Sequence, residues 1–112
     1  MAQNFQRTLK RNISNSSGSA TELRAATTTN DAIIGVRCTN TSGSSVDITV
    51  MVVNSATDYH IIKSAPIPTG GSLELIDGGS KVVLQTGDSV EAYASAATSV
   101  DIILSVVDSI ST

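Results

Sequence analysis

Residues 32–54 read AIIGVRCTNTSGSSVDITVMVVN, two runs rich in β-branched residues on either side of a Ser/Gly linker. In the second run Val46, Ile48, Val50 and Val52 alternate with Asp47, Thr49, Met51 and Val53. Side chains on a strand point to alternate faces, so the first four residues form one apolar face. In the first run Ile34, Val36 and Cys38 share a face, and Arg37 and Thr39 point the other way. A period of two and the dominance of β-branched side chains argue against a helix. The linker Thr41–Ser45 has the small residues of a hairpin loop, so the stretch is expected to form a central hairpin. The second face of the Val46–Asn54 strand should be polar if water covered it, yet Met51 and Val53 are apolar. Another element or another subunit is therefore expected over that end.

The last apolar run repeats the pattern. Val100, Ile102, Leu104 and Val106 alternate with Asp101, Ile103, Ser105 and Val107, and Ile103 and Val107 again give the second face large apolar groups. This is more outward apolar surface than a lone sandwich carries. Two covers are open: a subunit interface, or the N-terminal segment folded over a fully internal strand.

Between these runs the chain is punctuated by turn residues. Ala20–Ala25 reads as a short strand with Leu23 inward, and Thr27–Asp31 as the turn into the hairpin. After the turn Ser55–Asp58, Tyr59–Ser64 is a strand. Ala65–Pro68 is an extended edge or a crossover, since proline has no N–H for a central ladder. Leu73–Ile76 and Lys81–Leu84 flank Asp77-Gly78-Gly79-Ser80 and are expected to pair as a hairpin. Val90, Ala92 and Ala94 share a face before the turn Ala96–Ser99. About eight short strands at this spacing predict an all-β fold, an antiparallel β-sandwich of jelly-roll type. Residues 1–19 are expected to be an arm and loop, and residues 20–112 a single sandwich domain. Phe5, Leu9 and Ile13 suit one strand face or a helical stripe, and an extended arm or edge strand is the favoured form.

The 112 residues suit one domain with a modest core, and with Phe5, Tyr59 and Tyr93 as the only aromatics that core is aliphatic. Net charge is −3 with 15% charged residues, against a general nucleic-acid binder. Arg7, Lys10 and Arg11 cluster in the arm, leaving the body acidic; two readings are open, solvated charges on a flexible end or docking on an acidic neighbour. No run approaches the ~18 apolar residues of a membrane helix, and no signal-peptide core precedes Ala25. The Asn-x-Ser triplets at Asn12, Asn15 and Asn40 carry no glycosylation reading without secretion.

Chemistry is sparse. Cys38 is the single cysteine and behaves as a small buried hydrophobe. His60 is the single histidine and lacks a nucleophile motif. One Cys and one His exclude the familiar zinc sets, and Asp31, Asp58, Asp77 and Asp88 match no calcium loop. Glu74 and Glu91 read as solvent-facing strand residues rather than a glycosidase pair. No cofactor, metal or catalytic site is expected, and no enzyme.

The stretch Tyr59-His60-Ile61-Ile62-Lys63-Ser64-Ala65-Pro66-Ile67-Pro68-Thr69-Gly70-Gly71-Ser72-Leu73, with Asp77-Gly78-Gly79 and Lys81–Asp88, resembles small structural proteins of tailed bacteriophages. The likeness is to virion proteins of phages of marine and freshwater bacteria, cyanobacteria included, and extends over two-thirds of the chain. It implies a virion component assembled in the host cytoplasm, and it transfers no site residues. A capsid decoration or cement protein is the expected role, with the neck, tail or baseplate as the nearest alternative location. The expected partners are further copies of itself, a trimer being one arrangement, and the major capsid protein or other virion proteins. Neither nucleic acid nor membrane is among them. The expected interface residues are Phe5, Arg7, Leu9, Lys10, Arg11, Met51, Val53, Ile103 and Val107. A carbohydrate- or receptor-binding sandwich module is the alternative of another class.

Overall fold

The computed structural model describes residues 4–11, 13–26, 30–75 and 82–110. They form strands β1 (Asn4–Lys10), β2 (Thr21–Ala25), β3 (Asn30–Asn40), β4 (Val46–Asn54), β5 (Thr57–Ile67), β6 (Ser72–Glu74), β7 (Val82–Leu84), β8 (Ser89–Ala94) and β9 (Val100–Ile110). One sheet runs β1-β9-β3, with β6 and β7 both on the far side of β3, and the other runs β2-β8-β4-β5. The fold is the antiparallel β-sandwich that the alternation predicts.

The pairing is nested. β1 pairs with β9, β2 with β8, β3 with β6 and β7, and β4 with β5. The chain is one long antiparallel ribbon whose rungs alternate between the sheets, which is the jelly-roll path. β6 lies against Arg37–Thr39 and β7 against Asp31–Ile33, so they are two collinear pieces of one edge strand. The expected hairpin between them is therefore not formed; both spend their hydrogen bonds on β3. The turn Asp77–Ser80 lies outside the described residues.

The expected central hairpin is also corrected. β3 and β4 lie in opposite sheets, and Thr41–Ser45 is an arch between them. Both strands carry a strongly apolar face, and stacking those faces across the core buries them against each other. Ile33, Val36 and Cys38 of β3 and Val46, Ile48 and Val50 of β4 are all buried in that core. A bulge between Ile33 and Gly35 makes Ile33, not Ile34, the inward residue. Asn30 and Asp31, expected in a turn, belong to β3.

Asn40 holds the arch. Its side-chain amide donates to the carbonyls of Ser44 (2.8 Å) and Ile67 (2.9 Å). Its Oδ1 accepts from the N–H (2.9 Å) and the hydroxyl (2.7 Å) of Ser42. Its backbone N–H donates to Gly71 and its carbonyl accepts from Gly70. The buried amide is thus fully satisfied while it ties the arch to the Ile67–Gly71 crossing from β5 to β6. The same burial leaves the Asn40 triplet no free amide to modify.

The true two-residue hairpin is β4–β5, closed by Ser55 and Ala56 with φ of 51° and 64° and flanked by the pair Asn54–Thr57. Positive φ at both positions is what the strand twist demands, and neither residue is the Asn or Gly that accepts it freely. Ala56→Gly is expected to stabilise the domain by about 1 kcal/mol, read as a higher urea midpoint at unchanged slope.

Alternation holds best in the centre. Val100, Ile102, Leu104 and Val106 of β9 and Val90, Ala92 and Ala94 of β8 all point into the core. Leu23 of β2 points inward as expected, and no aromatic enters the core. Among the described residues, an ion pair crosses between the sheets within the core layer: Arg24 Nε of β2 donates to Asp31 Oδ2 of β3 at 2.7 Å, with the Asp31 carboxylate nearly fully buried. Arg24 also reaches Gln6 of β1. β5 is an edge strand, as Pro66 requires, and two register shifts make it bulge twice. At one bulge the Ser64 N–H (φ 53°) donates to the hydroxyl of the buried Thr49.

Candidate functional site

Asn4–Lys10 is a regular edge strand, paired with β9 at all seven positions. Directly opposed residues share a face, so the register sorts the side chains. Gln6, Thr8 and Lys10 oppose Val106, Leu104 and Ile102, which belong to the core side. Phe5, Arg7 and Leu9 oppose Val107, Ser105 and Ile103 on the outer side. The usual polarity is inverted: β1 turns its polar residues toward the sandwich seam and its apolar ones to water. A slip of one residue would reverse this, yet the pairing is continuous.

The outer face of the β1-β9-β3 sheet is therefore apolar in two ridges. Leu9 and Ile103 form one, continued across β3 by the Arg37–Glu74 ion pair. Phe5 and Val107 form the other, continued by Ala32 and Val83. Phe5 is 79% exposed, Leu9 58%, Val83 52% and Ile103 45%. Between the ridges lies a furrow made by Arg7, Ser105 and Gly35, which follow one another across three strands. Gly35 leaves the furrow open, since nothing but Ser105 comes within 4 Å of where its Cβ would stand. Singly exposed apolar residues are common, but a contiguous set on one sheet face marks an interaction surface.

The structure thus gathers Phe5, Arg7, Leu9, Ile103 and Val107 on one face. Lys10 opposes Ile102 on the inner side of β1, and Arg11 follows the strand end; both are exposed. With Leu9, Asp101, Ile102 and Ile103 they line a hollow at that end of the sheet. Met51 and Val53 are on the other sheet. Met51 is already buried within a single chain, set in register between Glu91 of β8 and His60 of β5. It needs no subunit to cover it, because the flanking long side chains of a central strand can do so. Val53 is half-buried. Val83 and Ala32 extend the face and were not anticipated. Their part in it depends on β7 pairing with β3, which no local pattern announces.

The polar residues do not converge. Asp31 is buried against Arg24, Asp88 accepts from Asn54 and from the Gln85 N–H, Asp58 lies on β5, and Asp77 is outside the described residues. Among the described residues no three His, Cys, Asp or Glu side chains group as a metal site would require. His60 is exposed on β5. Cys38 is fully buried on the inner face, and burial pushes its thiol up to about 12. It is therefore a protonated core side chain with no path to a second thiol.

No family model and no curated protein sequence matches the chain. Solved structures share its architecture, among them two from large assemblies. A chain from the capsid of Helicobacter pylori bacteriophage KHP30, described as acid-stable, superposes with a TM-score of 0.59 at 7% identity, over 96% of this chain and 88% of that one. A chain from Bacillus endospore appendages, described as a novel family of disulfide-linked pili, superposes with a TM-score of 0.55 at 12% identity, over 98% of this chain and 88% of that one. The likeness is one of fold. Both neighbours come from multi-subunit assemblies.

Proposed function

We propose that the chain is a non-enzymatic structural subunit of a phage particle, a capsid decoration or cement protein that self-associates and seats the outer face of its β1-β9-β3 sheet on the shell. The observation that carries this reading is the inverted β1, which sets Phe5 and Leu9 beside Val107 and Ile103 on one exposed face. Burying those side chains removes apolar surface from water at about 25 cal/mol per Å². Lys10 and Arg11, exposed at the rim, suit an acidic neighbour. The fold neighbour from a phage capsid and the resemblance of the Tyr59–Asp88 stretch to virion proteins support the same reading. Cys38 is out of reach, so no disulfide through it is part of the contact.

The test is incorporation. Ile103→Asp and Val107→Asp change side chains on the outer face, so each variant is expected to fold and to melt close to the parent. Each is expected to fail to co-sediment with particles to which the parent binds. Particles that take up both variants as well as the parent would sink the proposal. Imaging of labelled particles places the subunit; label on the neck, tail or baseplate instead of the shell would move the role there.

A further inference from the structure

An unpaired strand edge is a template for another strand, and folded proteins blunt such edges. The edges of this sandwich are blunted unequally. On one side, β5 carries Lys63, Pro66 and two bulges, and the edge beside it is broken into β6 and β7, three residues each. On the opposite side, β1 is seven residues long and paired to β9 without a register shift or a proline, and β2 beside it has one bulge and no proline. Among the described residues, β1 on that side offers the longest unbroken row of backbone donors and acceptors at a sheet edge.

Its charges name an occupant. Residues 1–11 hold Arg7, Lys10 and Arg11 and no acid, so they carry +3 and the remaining residues −6. On β2, Glu22 stands directly opposite Glu91 of β8 on the outer face of the second sheet. Like charges so placed repel. Among the described residues neither carboxylate is in an ion pair, and neither is Arg7. A β1–β1 contact between two copies would bring Arg7 toward Arg7 of the partner subunit. A two-fold axis parallel to the strands instead sets β1 beside β2 of the other copy, twice over. It also makes the outer face of one sheet continuous with the outer face of the other. Arg7 then shares a face with Glu22 of the partner subunit and approaches Glu91 of the partner subunit.

We propose that the β1/β2 side is a homodimer site, at which two copies join by reciprocal strand addition, β1 to β2 and β2 to β1, locked by Arg7 against the Glu22–Glu91 pair. The contact is isologous and closes on itself. It gives the self-association proposed above a surface, and it leaves the apolar face free for the shell.

Sedimentation equilibrium of the full chain tests it with Arg7→Glu, Glu22→Arg and the double variant. The parent is expected to be dimeric. Each single reversal is expected to weaken the dimer at least about tenfold, and the double to restore it, because the pair is rebuilt with its signs exchanged. Amide exchange along β1 is expected to slow as concentration rises. A monomeric parent, single reversals without effect, or a double variant no better than the singles would overturn it. Ile103→Asp separates the two proposals. A dimer that survives this change while particle binding is lost supports both. A dimer lost in Ile103→Asp but indifferent to the charge reversals overturns the edge contact.

Discussion

Asn40→Asp is expected to destabilise the domain by about 4 kcal/mol at neutral pH, although it changes one nitrogen to one oxygen. The amide nitrogen of Asn40 faces two carbonyl oxygens, those of Ser44 and Ile67, and the side chain is fully excluded from water. An ionised carboxylate would set a charged acceptor against two acceptors. Against a total stability of about 5–15 kcal/mol for a domain of this size, the loss is large enough to show as a collapsed urea midpoint. Asn40→Ala is expected to cost less, about 3 kcal/mol, because it removes hydrogen bonds without burying a charge.

The aspartate variant carries a signature in pH. Burial against carbonyls favours its protonated form, so its carboxyl in the folded state titrates above the roughly 3.9 of the unfolded chain. A folded-state value raised in this way contributes stability that is present below the unfolded value and lost as pH rises through the folded one. The gap between variant and parent is therefore expected to narrow as urea unfolding is moved from neutral pH toward about pH 4. A gap of constant size across that range would show that residue 40 is not held between the two carbonyls.

Arg24→Met is expected to cost about 3 kcal/mol. Arg24 is the cation nearest a carboxylate that water hardly reaches, with side-chain exposures of 19% for Arg24 and 3% for Asp31. The pair spans the gap between the sheets near the β1/β2 side, where Arg24 also meets Gln6. Methionine keeps most of the volume and removes the charge, which strands Asp31. Replacing both partners, as Arg24→Met with Asp31→Val, is expected to be milder than Arg24→Met alone, because no buried charge is left. The thermal midpoints of the four proteins in that cycle measure the coupling. A double variant as damaged as the sum of its parts would mean that the two side chains act independently.

Both sites were silent in the linear pattern. Asn40 stands next to a Ser/Gly linker and looks like one more loop residue; its amide matters because the Ile67–Gly71 segment arrives beside it. Asp31 looks like a turn residue until β3 is seen to begin at Asn30. The exposed apolar face was half legible. Ile103 and Val107 stand out from the alternation of β9, and Phe5 and Leu9 from the spacing of β1. Met51 carries the same pattern and is buried, set between Glu91 of β8 and His60 of β5, whereas Ile103 on β9, equally interior to its sheet, stays exposed.

Two-residue alternation settled the fold class, the centres of the strands and the inward face of β2, β4, β8 and β9, because burial of a sheet face is a local property of each strand; the ends of β3 and β5 run further than it indicated. Pairing was decided only by the folded chain. β3 and β4 look like a hairpin and are opposite walls of the core; β6 and β7 look like a hairpin and are two halves of one edge. A short polar linker is compatible with a turn within a sheet and with an arch between sheets, and local propensity scarcely separates them. The choice falls to distant contacts: which apolar faces must close on one another, and which carbonyls a buried amide such as that of Asn40 can reach.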